Sequence, residues 1–209
     1  GGDGTVYVAV GIRWMRWYSV IVPRALPHDV ACDFAKEMSM MMESSYLQAT
    51  PQRGTGVRDD LIGWLTSEEA ARHGGFASAH AAASLQAIGQ TLQEALGRPL
   101  SVPARVMIAC YPGAGSRYVR HLDNDGAGDH TAHRAFTAIL YANEDWRPEN
   151  GGLLRCQLHA TKTSSAEVVE VTPQSGTLVV FNSREVEHEV LPAHRSRIAM
   201  TLWIEDASP

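Results

Sequence analysis

The sequence predicts a mostly-β protein with helices (class α+β): a double-stranded β-helix, or jelly roll, with N-terminal helices packed on one sheet. Three observations carry that expectation. Eight short apolar runs follow Pro99 over about 105 residues, each bounded by turn-forming stretches. The patterns with helical period all precede residue 100, so helices form a layer on a sheet instead of alternating with strands. Composition is that of a globular chain, with 44% hydrophobic and 20% charged residues among 209. A chain of this length can bury roughly 70% of the surface its unfolded form exposes and needs no staples. One domain over 1–209 is expected, with support in 1–100 and the roll in 101–205.

The elements follow in order. "TVYVAV" alternates like a strand, and "YSVIVP" is a clearer one, ended by Pro23. From Asp29 to Met42, Val30, Phe34, Met38 and Met41 recur at spacings of three and four, the stripe of an amphipathic helix. The methionines around them read as soft core packing. "TPQRGTGVRDD" is a polar loop. Thr66 and Glu69 form a capping box for a short helix that stops at Gly74. A longer helix is expected over Ser78–Leu96, with Leu85, Ile88, Leu92 and Leu96 as its stripe and Gly97 as its stop. The strands are "ARVMIACY", "YVRHLD", "FTAILYA", "GGLLRCQLH", "EVVEV", "GTLVVF", "HEVLP" and "RIAMTLWIE".

Bulk properties exclude several classes. A net charge of -5 and a pI near 6.0 argue against nucleic acid as a partner. No run of about 18 apolar residues is present, so no membrane span is expected. The opening residues lack the features of a signal peptide. Cys32, Cys110 and Cys156 are far apart with no C-x-x-C, so neither a zinc knuckle nor a disulfide framework is indicated. They read as core thiols in a reducing compartment.

Candidate chemistry begins at "YVRHLDNDG". Side chains two apart on a strand share a face, so His121 and Asp123 point the same way. In "VEHEVLPAHRSRIAMTLW", His188 opens one strand and Arg197 the next, and an antiparallel pairing would bring those two strands together. If the strands face one interior, His121, Asp123 and His188 can converge on one metal ion. Two imidazoles and one carboxylate form the facial triad of non-haem Fe(II) oxygenases, leaving three positions open. Three histidines would suit zinc better. Arg197 can then grip a distal carboxylate in bidentate fashion, and Tyr141 can add a hydroxyl donor. The co-substrate so described is a dicarboxylic 2-oxo acid.

"MIACYPGAGSRYVRHLDN", "ILYANEDWRPENGGLLR" and "VEHEVLPAHRSRIAMTLW" resemble the catalytic core of 2-oxoglutarate-dependent prolyl 4-hydroxylases of the hypoxia-sensing type. Weaker similarity reaches upstream to "YSVIVPRALP" and "VRDDLIGWL". The resemblance implies a dioxygenase that hydroxylates C4 of a prolyl residue while 2-oxoglutarate becomes succinate and carbon dioxide. It implies Fe(II) on His121, Asp123 and His188, with 2-oxoglutarate held by Arg197 and Tyr141. Tyr111 would lie near the metal-proximal end of the pocket and the target proline, and Thr201 and Trp203 would line it. Asp60 and Arg134 match positions on the substrate rim. Dioxygen is the co-substrate and ascorbate the reductant.

The implied partner is a proline-containing protein, met by a cytoplasmic or nuclear monomer that senses oxygen. Relatives of this type act on the animal hypoxia-inducible factor, on an adaptor of SCF ubiquitin ligases in protists, or on a bacterial elongation factor. "TPQRGTGVRDD" is shorter here than in animal members and "NDGAGDHTAH" longer, which favours the adaptor. The secreted collagen-type branch is a poorer match, because its members hold the oxo acid with Lys. The rival readings are a non-catalytic jelly-roll binding module and a zinc or manganese jelly-roll enzyme. His130 and His133 in "DHTAH" read as solvated polar sequence, as do His159 and His194; "PGAGSR" reads as a turn.

Overall fold

The computed structural model describes residues 19–43, 46–127, 131–158 and 167–207. In chain order the elements are β1 (Ser19–Val22), α1 (His28–Glu43), β2 (Gln48–Ala49), β3 (Leu61–Leu65), α2 (Ser67–His73), α3 (Phe76–Leu96), β4 (Leu100–Ser101) and β5 (Val106–Tyr111). There follow β6 (Ser116–His121), β7 (Arg134–Tyr141), β8 (Leu154–Leu158), β9 (Glu167–Val171), β10 (Leu178–Asn182), β11 (Glu187–Ala193) and β12 (Arg197–Asp206). "TVYVAV", His130 and His159 lie outside the described residues.

Two antiparallel sheets face each other. The larger runs β1-β10-β7-β12-β5-β3-β2, with β4 also paired to β12; the smaller runs β6-β11-β8-β9. This is the jelly roll that the eight apolar runs predict, and each run overlaps one of β5 to β12. Strand alternation sorts the central strands into two faces. Val106, Ile108 and Cys110 of β5, with Ile198, Met200, Leu202 and Ile204 of β12, pack under the helices. Met107, Ala109, Tyr111, Ile139, Tyr141 and Ala199 point the other way, against Leu154, Cys156 and Val190 of the smaller sheet. A single period-two pattern therefore builds a structural core on one side and a cavity on the other.

The helices form one layer, as expected, and α3 packs Leu85, Ile88 and Leu92 of its expected stripe on the core, but its closest contact is made by small residues. Its buried face is Ala77, Ser78, Ala81, Ala82, Leu85 and Gly89, whereas Leu96 is exposed. A Cβ on Gly89 would come within 2.7 Å of Val102, so small residues let this helix lie close to the sheet. β2, β3 and β4 were not expected. Of the three cysteines, Cys110 and Cys156 are buried, but Cys32 is only half-buried on α1. β11 and β12 do not pair; they lie in opposite sheets, so His188 and Arg197 face one another across the interior.

The caps behave as the sequence predicts. Gly97 ends α3 in the left-handed region at φ 61°. The Thr66 side chain accepts the Glu69 backbone N–H at 3.2 Å, and the Glu69 carboxylate accepts the Thr66 N–H at 2.8 Å. Thr66→Ala is expected to lower stability by ~1 kcal/mol, read as a denaturant midpoint shift, with turnover untouched.

Candidate active site

The site begins with a distortion of β6. His121 pairs with His188 and Tyr118 with Val190, so three steps on β6 match two on β11. This bulge turns Tyr118 and His121 to the same side, although their spacing would place them on opposite faces of a regular strand. Their rings stack at 3.8 Å with 16° between planes. The two histidines end up as direct cross-strand neighbours, with ring centroids 4.3 Å apart.

Asp123, just past the strand, completes the group. Its Oδ1 is 3.6 Å from His121 Nε2 and its Oδ2 is 3.7 Å from His188 Nε2. One donor atom from each of the three residues lies within 4.8 Å of the others, an arrangement able to hold a metal ion. The Nδ1–H of His121 donates to the Val119 carbonyl at 2.8 Å, and that of His188 to the Val186 carbonyl at 3.1 Å. A carbonyl can only accept, so each Nδ1 carries the proton and each Nε2 keeps its lone pair for a metal.

The electrostatics agree with that use. Burial works to raise the Asp123 pKa, but His188, His121 and the Thr137 hydroxyl outweigh it and hold the carboxyl well below the usual carboxylate range. Burial pushes the His188 pKa down, against the pull of Asp123, and favours the neutral ring. Thr137 Oγ1 donates to Asp123 Oδ2 at 2.6 Å and lies 2.8 Å from Ser183 Oγ. Because Thr137 donates its one proton to a carboxylate, it accepts from Ser183. Thr137→Val should weaken metal binding by ~10–100-fold with the fold intact, measured by metal titration.

The donors open on a cavity of about 160 Å³ between the sheets. At its far wall Arg197 is 2% exposed. Its Nε–H donates to the Gly152 carbonyl at 2.7 Å. Its guanidinium carbon sits 5.2 Å from the Tyr111 ring centroid and 5.0 Å from that of Tyr141. No carboxylate of the described residues pairs with it. Close packing explains Gly152: a Cβ there would meet the Arg197 side chain at 3.1 Å, and φ is +63°. The Tyr141 hydroxyl is fully buried without a hydrogen-bond partner among the described residues. Burial pushes its pKa up to about 12, with Arg197 acting the other way.

The remaining expected residues fall as follows. Thr201 and Trp203 line the cavity from β12, beside Tyr111 from β5. Arg134 lines it too, its guanidinium 3.8 Å over the Trp203 ring. Asp60 is fully buried beneath the lining and binds Arg58, which does reach the cavity. The sequence reading passed over Thr137, Ser183, Tyr118, Arg58 and Trp64. Of these, Tyr118 was visible within the quoted "YVRHLD", but its partnership with His121 depends on the bulge.

Comparison with known proteins agrees with this geometry. The profile of the 2OG-Fe(II) oxygenase superfamily matches residues 106–205. The chain is 40% identical over 106 residues to "Egl nine homolog 1" of Homo sapiens, covering 49% of this chain and 23% of that protein. It is 34% identical over 129 residues to a Caenorhabditis elegans "Hypoxia-inducible factor prolyl hydroxylase", covering 59% of this chain and 16% of that protein. It thus spans well under half the length of these curated relatives.

Among solved structures, a Pseudomonas putida prolyl-4-hydroxylase superposes with a TM-score of 0.75 at 29% identity, over 91% of this chain and 93% of that one. A Trichoplax adhaerens prolyl hydroxylase, solved with a hypoxia inducible factor peptide fragment, gives 0.71 at 25% identity, over 90% and 83%. Two packed antiparallel sheets, a pair of imidazoles closed by a buried carboxylate, and the profile match together identify a 2OG-Fe(II) oxygenase domain in this chain, matched over residues 106–205.

Proposed function

We propose that the protein is a 2-oxoglutarate- and dioxygen-dependent hydroxylase acting at C4 of a prolyl residue in a protein target. The observation that carries this reading is Arg197, a buried cation without a carboxylate partner among the described residues, in a cavity that also holds His121, Asp123 and His188. An isolated buried charge is unfavourable unless something compensates it. A five-carbon diacid fits both ends, chelating a metal at one and reaching the guanidinium and the unpartnered Tyr141 hydroxyl at the other. The prolyl hydroxylases among the similar proteins support proline as the reacting residue.

In this reading His121, Asp123 and His188 hold Fe(II), and the donor set of two neutral nitrogens and one carboxylate suits that ion. When bound, ferrous iron supplies the oxygen-activating chemistry that couples decarboxylation of 2-oxoglutarate to oxygen insertion at proline. The chain's own groups do the rest. Thr137 restrains Asp123 Oδ2, while Arg197 and Tyr141 orient the diacid. Tyr111, Thr201 and Trp203 shape and dry the cavity. Arg134 at the mouth, with Asp60 behind Arg58, sets the rim where a peptide enters. The whole chain, 1–209, acts as one domain, since the helices share a core with the larger sheet.

No helix among the described residues is long and apolar enough to cross a membrane. A cytoplasmic, monomeric oxygen sensor is the setting proposed, with ascorbate as reductant and an SCF ubiquitin-ligase adaptor as target. The test is incubation with Fe(II), 2-oxoglutarate and ascorbate and with peptides from the adaptor, from elongation factor and from hypoxia-inducible factor. The expected result is a mass gain of one oxygen atom on proline, matched by succinate; the reactive peptide names the target. No succinate under any condition would favour the binding-module reading, and turnover that needs zinc or manganese instead of iron would favour the other metalloenzyme reading.

A further inference from the structure

Residues 57–60 cross from one sheet to the other at the cavity mouth. Val119 N–H donates to the Val57 carbonyl at 2.9 Å, Asp59 N–H donates to the Arg117 carbonyl at 3.0 Å, and Arg58 bridges Tyr118 in antiparallel register. The segment therefore extends the free edge of β6 in the smaller sheet. It then enters β3 in the larger one.

Four side chains are layered at this crossing. Asp60, fully buried, takes the Arg58 fork with both oxygens, Nε to Oδ1 at 2.7 Å and Nη2 to Oδ2 at 2.5 Å. The guanidinium carbon lies 4.6 Å from the Tyr118 ring centroid. Tyr118 in turn lies flat on His121. The imidazole is also held by its Nδ1 hydrogen bond, and the His188 ring and Asp123 lie on its metal side, which leaves the ring free to tilt on the side that Tyr118 covers. A parallel ring in contact removes that freedom and aims Nε2. The cation over the outer face of Tyr118 holds that ring in place, and the buried carboxylate fixes the plane of the cation.

We propose that Asp60, Arg58 and Tyr118 form a positioning stack that couples the seating of the 57–60 segment at the cavity mouth to the orientation of His121. The proposal rests on His121 being a metal ligand. Undocking the segment loosens His121, so whatever engages Arg58 at the mouth is felt at the metal. Asp60 acquires a role that its burial denies it as a contact on the rim.

The test is titration of the full chain with Co(II), following visible ligand-field bands, with circular dichroism to check folding. Asp60→Asn and Tyr118→Leu should each weaken Co(II) binding, toward the lower end of the ~10–100-fold typical for lost outer-shell partners, and shift the bands. Tyr118→Phe keeps the ring and should retain wild-type affinity and spectrum. Affinity for 2-oxoglutarate at saturating Co(II) should not change, because Arg197 is outside the stack. If Asp60→Asn does not fold, the Tyr118 Leu and Phe pair decides alone. Wild-type Co(II) binding in Asp60→Asn or Tyr118→Leu would overturn the stack, as would a Phe variant as weak as Leu. Failure of the metal reading has a different signature: no ligand-field bands in the wild type, and an Asp123→Ala titration identical to it.

Discussion

Asp123→Ala is expected to abolish metal binding and, with it, 2-oxoglutarate turnover, while the two-sheet fold remains. Asp123 is the one anionic donor of the triad, and it faces both imidazoles at 3.6 and 3.7 Å. Without it two neutral nitrogens remain, too few to retain a divalent ion against water. The loss should exceed the ~10–100-fold that follows removal of an outer-shell partner. It also leaves Thr137 without its acceptor in a buried place, so Asp123→Asn, which keeps an oxygen for Thr137, is the cleaner comparison. Calorimetric titration with Fe(II) under anaerobic conditions reads both variants. A variant that binds and turns over normally would remove Asp123 from the ligand set.

The same group fixes the pH dependence. Asp123 is held well below the usual carboxylate range, so it stays ionised through the mildly acid region. Protons then compete with the metal at His188. Burial lowers the His188 pKa, so its ring is neutral and available at neutral pH. Metal affinity should accordingly persist through about pH 6.5, where an ordinary imidazole gains its proton, and fade only at lower pH as the His188 ring is protonated. A loss already complete at about pH 6.5 would mean that burial does not keep the His188 ring neutral.

What the sequence made legible follows from what its patterns encode. Period-two alternation and turn residues located every strand from β5 to β12, because each is long enough to repeat a pattern. β2 and β4 are two residues long and repeat nothing. β3 carries Gly63 at its centre, where a Cβ would sit 2.8 Å from the Tyr46 ring; the residue that permits the packing also hides the strand. α3 was located and Leu85, Ile88 and Leu92 of its stripe do pack on the core, but Leu96 does not, and the closest approach is made by Ala and Gly, which a search for large apolar residues passes over. Among site residues, those defined by chemical type were readable: two histidines, an aspartate, an arginine. Those defined by contact were not. Thr137 is recognisable only once β7 is seen to run beneath Asp123, and Tyr118 only once a bulge has turned it beside His121. The expected pairing of the His188 and Arg197 strands failed because the turn between them passes from one sheet to the other. That crossing is what places the cation opposite the metal donors.

Arg197→Ala is expected to raise the 2-oxoglutarate requirement by roughly 10–100-fold, the equivalent of losing a charged hydrogen bond of about 1.5–3 kcal/mol. The guanidinium is already arranged for an anion. Its Nε is committed to the Gly152 carbonyl, and the Tyr111 and Tyr141 rings flank it. This leaves the outer nitrogens free to meet a carboxylate as a fork. Affinity for Fe(II) measured without 2-oxoglutarate should not change, because Arg197 makes no contact with the triad. Arg197→Lys should fall between the two, since it keeps the charge but loses both the planar fork and the anchor to Gly152. Half-saturation for 2-oxoglutarate, measured as succinate formed with iron in excess, separates these cases. If Arg197→Ala leaves that value where it was, the diacid is held elsewhere, and the buried cation needs another explanation. If Fe(II) affinity falls as well, the two ends of the cavity are mechanically linked through β12 and β7, which pair through Ala199 and Tyr141.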